Sequence, residues 1–114
     1  MHRRLRYYEA IKLLQTVAEK QAGFEDEIQF ELAMLFAKTG QYDEAVNRWL
    51  AFPEKMPDSP LTDRALLSAA DLYFQMGEEE KAVMVYKQLI IRYPKSIYVQ
   101  DARKKIRYIE NIKR

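Results

Sequence analysis

The sequence predicts an all-α protein: about six helices, each antiparallel to its neighbours, stacked into a solenoid. Three observations carry this. Ala, Leu, Glu, Lys and Gln abound, while three Gly and four Pro sit only at punctuating positions, a balance that favours helix. Apolar residues recur at helical spacing on either side of Gly40 and Gly77. A block beginning at Gly40, GQYDEAVNRWLAFPEKMPDS, is echoed by GEEEKAVMVYKQLIIRYPKS beginning at Gly77.

The first helix is expected over about residues 3–21. Two helix–turn–helix pairs follow at about 25–52 and 60–92, and a last helix at about 97–112. Before Gly40, the residues Ile28, Leu32, Leu35 and Phe36 form one stripe; before Gly77, Leu66, Ala69, Ala70 and Tyr73 do the same. After the glycines come Tyr42, Ala45, Val46 and Trp49, and then Ala82, Val83, Tyr86, Leu89 and Ile90. So short a turn makes the two helices of each pair antiparallel. Pro53 lies in what would be the last turn of its helix, so it should end that helix early and leave 53–60 as a longer connection. Pro57-Asp58-Ser59 and Pro94-Lys95-Ser96 stop each pair, and Asp58, Ser59 or Ser96 can accept the orphan N–H groups of the next helix.

Landmarks of different chemistry share one period. Ala45 and Ala82, Pro57 and Pro94, Ser59 and Ser96, and Ala65 and Ala102 are each 37 residues apart. The first helix fits the frame as the second member of a pair whose first member is missing: Tyr7 matches Tyr42, Ala10 matches Ala45 and Leu14 falls where Trp49 stands. Ala33, Ala70, Ala45 and Ala82 would let helices approach closely, with Phe36, Tyr73, Trp49, Tyr86 and Phe52 filling the space around them.

On these residues the chain resembles the tetratricopeptide repeat, through Ala33/Ala70, Phe36/Tyr73, Gly40/Gly77, Ala45/Ala82, Trp49/Tyr86 and Pro57/Pro94. It departs from that repeat in period, with three extra residues after the proline. The resemblance implies a right-handed superhelix in a single domain over 1–114. Its parts would be a half repeat at 1–24, repeats at 25–59 and 60–96, and a capping helix at 97–114. The longer form looks like a subtype found in bacterial envelope proteins, among them outer-membrane-assembly lipoproteins and the periplasmic coordinator associated with the Tol–Pal system. That implies a periplasmic or envelope-associated location, with the cytoplasm as the alternative.

Several function classes fall away. There is no Cys, so disulfides, thiolate catalysis and Cys-based metal sites are excluded. His2 is the only His, at the start of the first helix, and no Ser–His pair or Gly-rich phosphate loop is visible. The acidic runs FEDE (24–27) and GEEE (77–80) open helices, where they suit the positive end of the dipole better than a metal. No enzyme, cofactor or metal site is expected, and no apolar run is long enough to span a bilayer.

What remains is a protein–protein interaction scaffold. In repeats of this kind the first helix of each pair lines the concave face. Carried over, these positions are Phe30, Met34 and Lys38, with Glu27, on one helix, and Arg64, Leu67, Asp71 and Phe74, with Gln75, on the next. Lys104 and Tyr108 join them from the last helix. Phe30, Met34, Leu67 and Phe74 would form an apolar strip for a peptide or partner domain, unless the first helix or a second copy covers it. The Lys, Arg and Asn set by which some co-chaperone members grip a terminal carboxylate is absent, because Phe30, Met34 and Leu67 stand in those places.

Two rival readings concern the ends. The unpaired first helix turns Leu5, Tyr8, Leu13 or Ile11 towards a missing neighbour, which suggests excision from a longer array or a homodimer. Residues 1–12 carry a net charge of +3 and residues 103–114 a net +5 around an acidic middle. Basic ends of this kind suit nucleic acid or an anionic membrane, but the acidic middle opposes phosphates.

Overall fold

The computed structural model describes residues 2–20 and 23–112, with side chains from residue 5 onward. His2, Arg3, Arg4, Lys113 and Arg114, on which part of the basic-ends reading rests, have side chains outside the described residues. The elements are α1 (His2–Lys20), α2 (Glu25–Lys38), α3 (Tyr42–Leu50), α4 (Phe52–Lys55), α5 (Thr62–Gln75), α6 (Glu79–Arg92) and α7 (Val99–Ile112). Six are long helices and α4 is a single turn. The long helices pack in chain order: α1 on α2, α2 on α3, α3 on α5, α5 on α6 and α6 on α7. This one-dimensional stacking, in a slab of 47 × 35 × 18 Å, belongs to helical repeats, in which one pair cannot bury both of its faces.

Both intra-pair turns are built alike. Gly40 adopts φ 85° and Gly77 φ 83°, the left-handed region that a Cβ disfavours. Gln41 N–H donates to the Phe36 carbonyl and Gly40 N–H to that of Ala37; Glu78 and Gly77 repeat this with Tyr73 and Phe74. These are Schellman ends, which satisfy the last carbonyls of α2 and α5 and reverse the chain in three residues. Acidic residues occupy the first turns that follow, Asp43 and Glu44 on α3 and Glu79 and Glu80 on α6, where they complement the helix dipole.

The Pro-x-Ser segments close each pair by a second repeated device. Ser59 Oγ donates to Asp26 Oδ2 at 2.7 Å and accepts the Leu61 N–H at 3.1 Å. Ser96 Oγ donates to Asp63 Oδ2 at 2.6 Å and accepts the Tyr98 N–H at 3.0 Å. The serines therefore open the turn ahead of α5 and α7 and staple it to the start of the first helix of the same pair. The Ser59 hydroxyl also holds the Asp26 carboxyl below its ordinary pKa. Stability from this bond is present above about pH 4 and is lost as pH falls through the lowered value. Ser59→Ala should raise the Asp26 pKa in an NMR titration and lower neutral-pH stability by at most about 1 kcal/mol. An unmoved Asp26 would show that the staple does not form.

The core runs the length of the stack. Ala45, Ala82, Ala65, Ala69 and Ala70 are all 0% exposed, as close helix approach at small residues requires. Pro53 acts differently from the expectation of a plain connection. The helix already ends at Leu50, and Phe52–Lys55 then forms its own turn with Pro53 in the first two positions, where a missing N–H costs nothing. That turn drives Phe52 to 0% exposure.

Candidate functional site

The expected apolar strip is not open. Phe30 is buried, with its ring centroid 5.9 Å from that of Trp49 and 6.2 Å from that of Phe52. The Arg64 guanidinium lies 5.0 Å above the same ring. Leu67 is buried too, and Met34 is half-buried. Neither the first helix nor a second copy is needed to cover Phe30; the α4 turn of its own pair does so. Lys38 turns towards α1, its Nζ 5.5 Å from the centre of the Tyr7 ring.

The other four positions converge. Asp71, Phe74, Lys104 and Tyr108 share one open cleft of about 520 Å³ between α5, α6 and α7, with Gln75, Tyr86, Lys105 and Ile109 completing it. Phe74 and Tyr108 meet edge to face, their centroids 6.0 Å apart and planes at 81°. Tyr108 is 58% exposed, so one side of this aromatic wall faces solvent.

A polar knot forms the cleft's base. The buried Tyr86 hydroxyl donates a short hydrogen bond to Asp71 Oδ1. Lys105 Nζ lies 2.7 Å from the same oxygen and 3.7 Å from Asp101 Oδ2. Burial, followed by the Asp71 hydrogen bond and charge, pushes the Tyr86 pKa well above its ordinary value. The raised value means that Tyr86 supports folding fully below about pH 10, and that this support is lost as pH rises beyond it. Folding stability should therefore fall above about pH 10, by at most about 1.4 kcal/mol per pH unit from this group. In Tyr86→Phe this component should vanish; an identical alkaline slope in the variant would refute the assignment.

The first pair carries no equivalent knot. Thirty-seven residues earlier, Met34 stands where Asp71 is and Trp49 where Tyr86 is. Trp49 Nε1 is buried and finds no acceptor among the described residues. The two pairs thus share a backbone and differ in the chemistry of the inner face. Lys105 escaped the sequence reading although its i, i+4 spacing from Asp101 was visible; its bond to Asp71 joins residues 34 apart.

A larger cleft of about 630 Å³ lies between α2, α3 and α4, bordered by Gln29, Glu44 and Arg48 among others. Arg48 spans it, bonding Glu44 Oε1 at 3.0 Å and Gln29 Oε1 at 2.8 Å and covering the Phe36 ring. Arg48, Glu44 and Gln29 thus satisfy one another across the cleft, which, unlike the aromatic cleft, has no exposed ring in its wall.

Stacked helix–turn–helix pairs with an open aromatic cleft, and with no group of three His, Cys, Asp or Glu among the described residues that could hold a metal, define a helical-repeat scaffold. Residues 64–96 match the family described as Tetratricopeptide repeat, so a repeat of that family is present within the expected 60–96 unit. Helical-repeat scaffolds of this kind are characteristically non-catalytic, and the chain contains no cysteine. Among the described residues no helix is long and apolar enough to cross a membrane. A search of curated proteins returns no match to the chain.

Proposed function

We propose that the protein is an interaction scaffold that holds a peptide or partner domain in the cleft between α5, α6 and α7. The observation that carries this is the edge-to-face pair of Phe74 and Tyr108 on the open side of that cleft. Half-exposed aromatics of fixed geometry present large contact area at little entropic cost, as binding hot spots do. Lys104 is exposed along α7 and lines the cleft beside them. The fitting ligand is a segment with an apolar side chain for the aromatic wall and acidic residues flanking it. Phe30 and Leu67 contribute by shaping the core under the face, and Met34, Lys38 and Arg64 extend the surface towards α1.

The test is selection of binding peptides from a displayed random library, followed by affinity measurement with Tyr108→Ala and Phe74→Ala. Leu67→Glu is unsuited, because it would bury a charge and unfold the stack. At least about tenfold weaker binding is expected for each variant with helicity unchanged. Selected peptides that bind both variants as tightly as the wild type would place the working surface elsewhere. The 37-residue form of the repeat favours a setting in bacterial envelope assembly, which fractionation of the native protein would check.

A further inference from the structure

The two ends of the stack differ in what they offer a neighbour. α7 aligns with the first helix of a pair. Where α5 carries the buried Leu66 and Ala70 and the half-buried Tyr73, α7 carries Arg103, Arg107 and Glu110, all exposed. An arginine in place of the close-approach alanine does not suit a helix packed here as α6 packs on α5.

α1 is the reverse case: it aligns with the second helix of a pair, and among the described residues no first helix of its own pair packs on it. Ala10, Leu13, Leu14 and Val17 align with Ala45, Arg48, Trp49 and Phe52. Those residues touch α2: Arg48 covers Phe36 and bonds Gln29, and Trp49 and Phe52 meet Phe30. The corresponding face of α1 is only partly covered within the chain: Ala10, Leu14 and Val17 pack against the core at half burial, and Leu13 stands clear of it. Ala10 is only half-buried, although Ala45 and Ala82 are fully buried, and Leu13 is 66% exposed. Ile11, on the side facing α2, is 6% exposed.

The adjoining edge of α2 has a definite charge. The positions by which one first helix reaches the preceding one are those of Arg64, over Phe30, and Lys105, bonded to Asp71. Their equivalents on α2 are Glu27 and Glu31, both exposed. A helix seated here must therefore run antiparallel to α1 and parallel to α2. It needs a small, apolar face and a basic start to set beside these two glutamates.

α1 itself meets that description, with Ala10, Leu13 and Val17 on the face and Arg6 near its start. We propose that two copies of this chain pair through α1. The two α1 helices lie antiparallel, each taking on the other the place that a first helix takes in the complete pairs, with Arg6 of one copy beside Glu27 and Glu31 of the other. Such an interface is isologous, so every contact occurs twice.

Sedimentation of the wild type from micromolar to submillimolar concentration should give a mass of twice 13.6 kDa. Leu13→Glu should give the monomer with unchanged helicity, because this side chain is exposed within one chain. Arg6→Glu and Glu27→Arg should each weaken pairing by about tenfold, and the double variant should restore it. A wild-type monomer throughout the range overturns the proposal; this is the result expected if another helix or a different partner fills the seat. A dimer indifferent to Leu13→Glu, or charge variants that do not rescue each other, overturns it as well. Peptide binding at the α5–α7 cleft is at the other end of the stack, so either reading can fail alone.

Discussion

Replacing Phe52 by alanine is expected to cost about 3–5 kcal/mol of folding stability, the range for a fully buried phenylalanine. This is a large share of the roughly 5–15 kcal/mol that holds a domain of this size together. The size of the effect follows from where the side chain sits. The α3 helix stops at Leu50, the chain re-forms a turn at Phe52–Lys55, and that turn places the Phe52 ring edge-on against Phe30 at 0% exposure. Truncation leaves a cavity between α4 and its neighbours and strips Phe30 of one of the rings that bury it. Urea unfolding followed by circular dichroism measures the loss, with the slope unchanged if only the native state is affected. A loss below about 1 kcal/mol would mean that the short turn is not docked. Pro53→Ala should cost only about 0.4–1 kcal/mol, through the added freedom of the unfolded chain.

The second large effect is expected at Asp71. Asp71→Ala removes the acceptor of the buried Tyr86 hydroxyl and the counter-charge of Lys105. The hydroxyl dominates. Leaving it buried and unpaired costs about 1–3 kcal/mol. The ion pair is substantially solvated, with side chains 40% and 37% exposed, and contributes at most about 1 kcal/mol. The two contributions separate in a double-mutant cycle. In a Tyr86→Phe background, Asp71→Ala should lose most of its effect, whereas in a Lys105→Met background it should keep most of it. An effect that survives Tyr86→Phe undiminished would assign the stability to the ion pair instead. The same variant opens the base of the cleft beneath Phe74 and Tyr108, so peptide affinity should fall with it.

The local architecture was legible in the sequence because local rules govern it. Helical spacing, two glycines that take the left-handed region, and a 37-residue period determine the helix pairs, their antiparallel turns and the order of stacking. Resemblance at those positions was enough to expect the repeat that residues 64–96 match. On α1, Leu5, Tyr8 and Leu13 are exposed as expected, whereas Ile11, expected on the same side, is buried against the core.

Tertiary structure decided which inner-face residues are open. The resemblance placed Phe30 and Leu67 on that face, but it carries no information about the α4 turn or the Arg64 side chain that close over Phe30. Nor could spacing show that Asp71, Tyr86 and Lys105 would meet, since they come from three helices. The helix pairs are set by contacts a few residues apart along the chain. The binding face is set by which side chains from successive helices reach one another, and only the packed stack determines that.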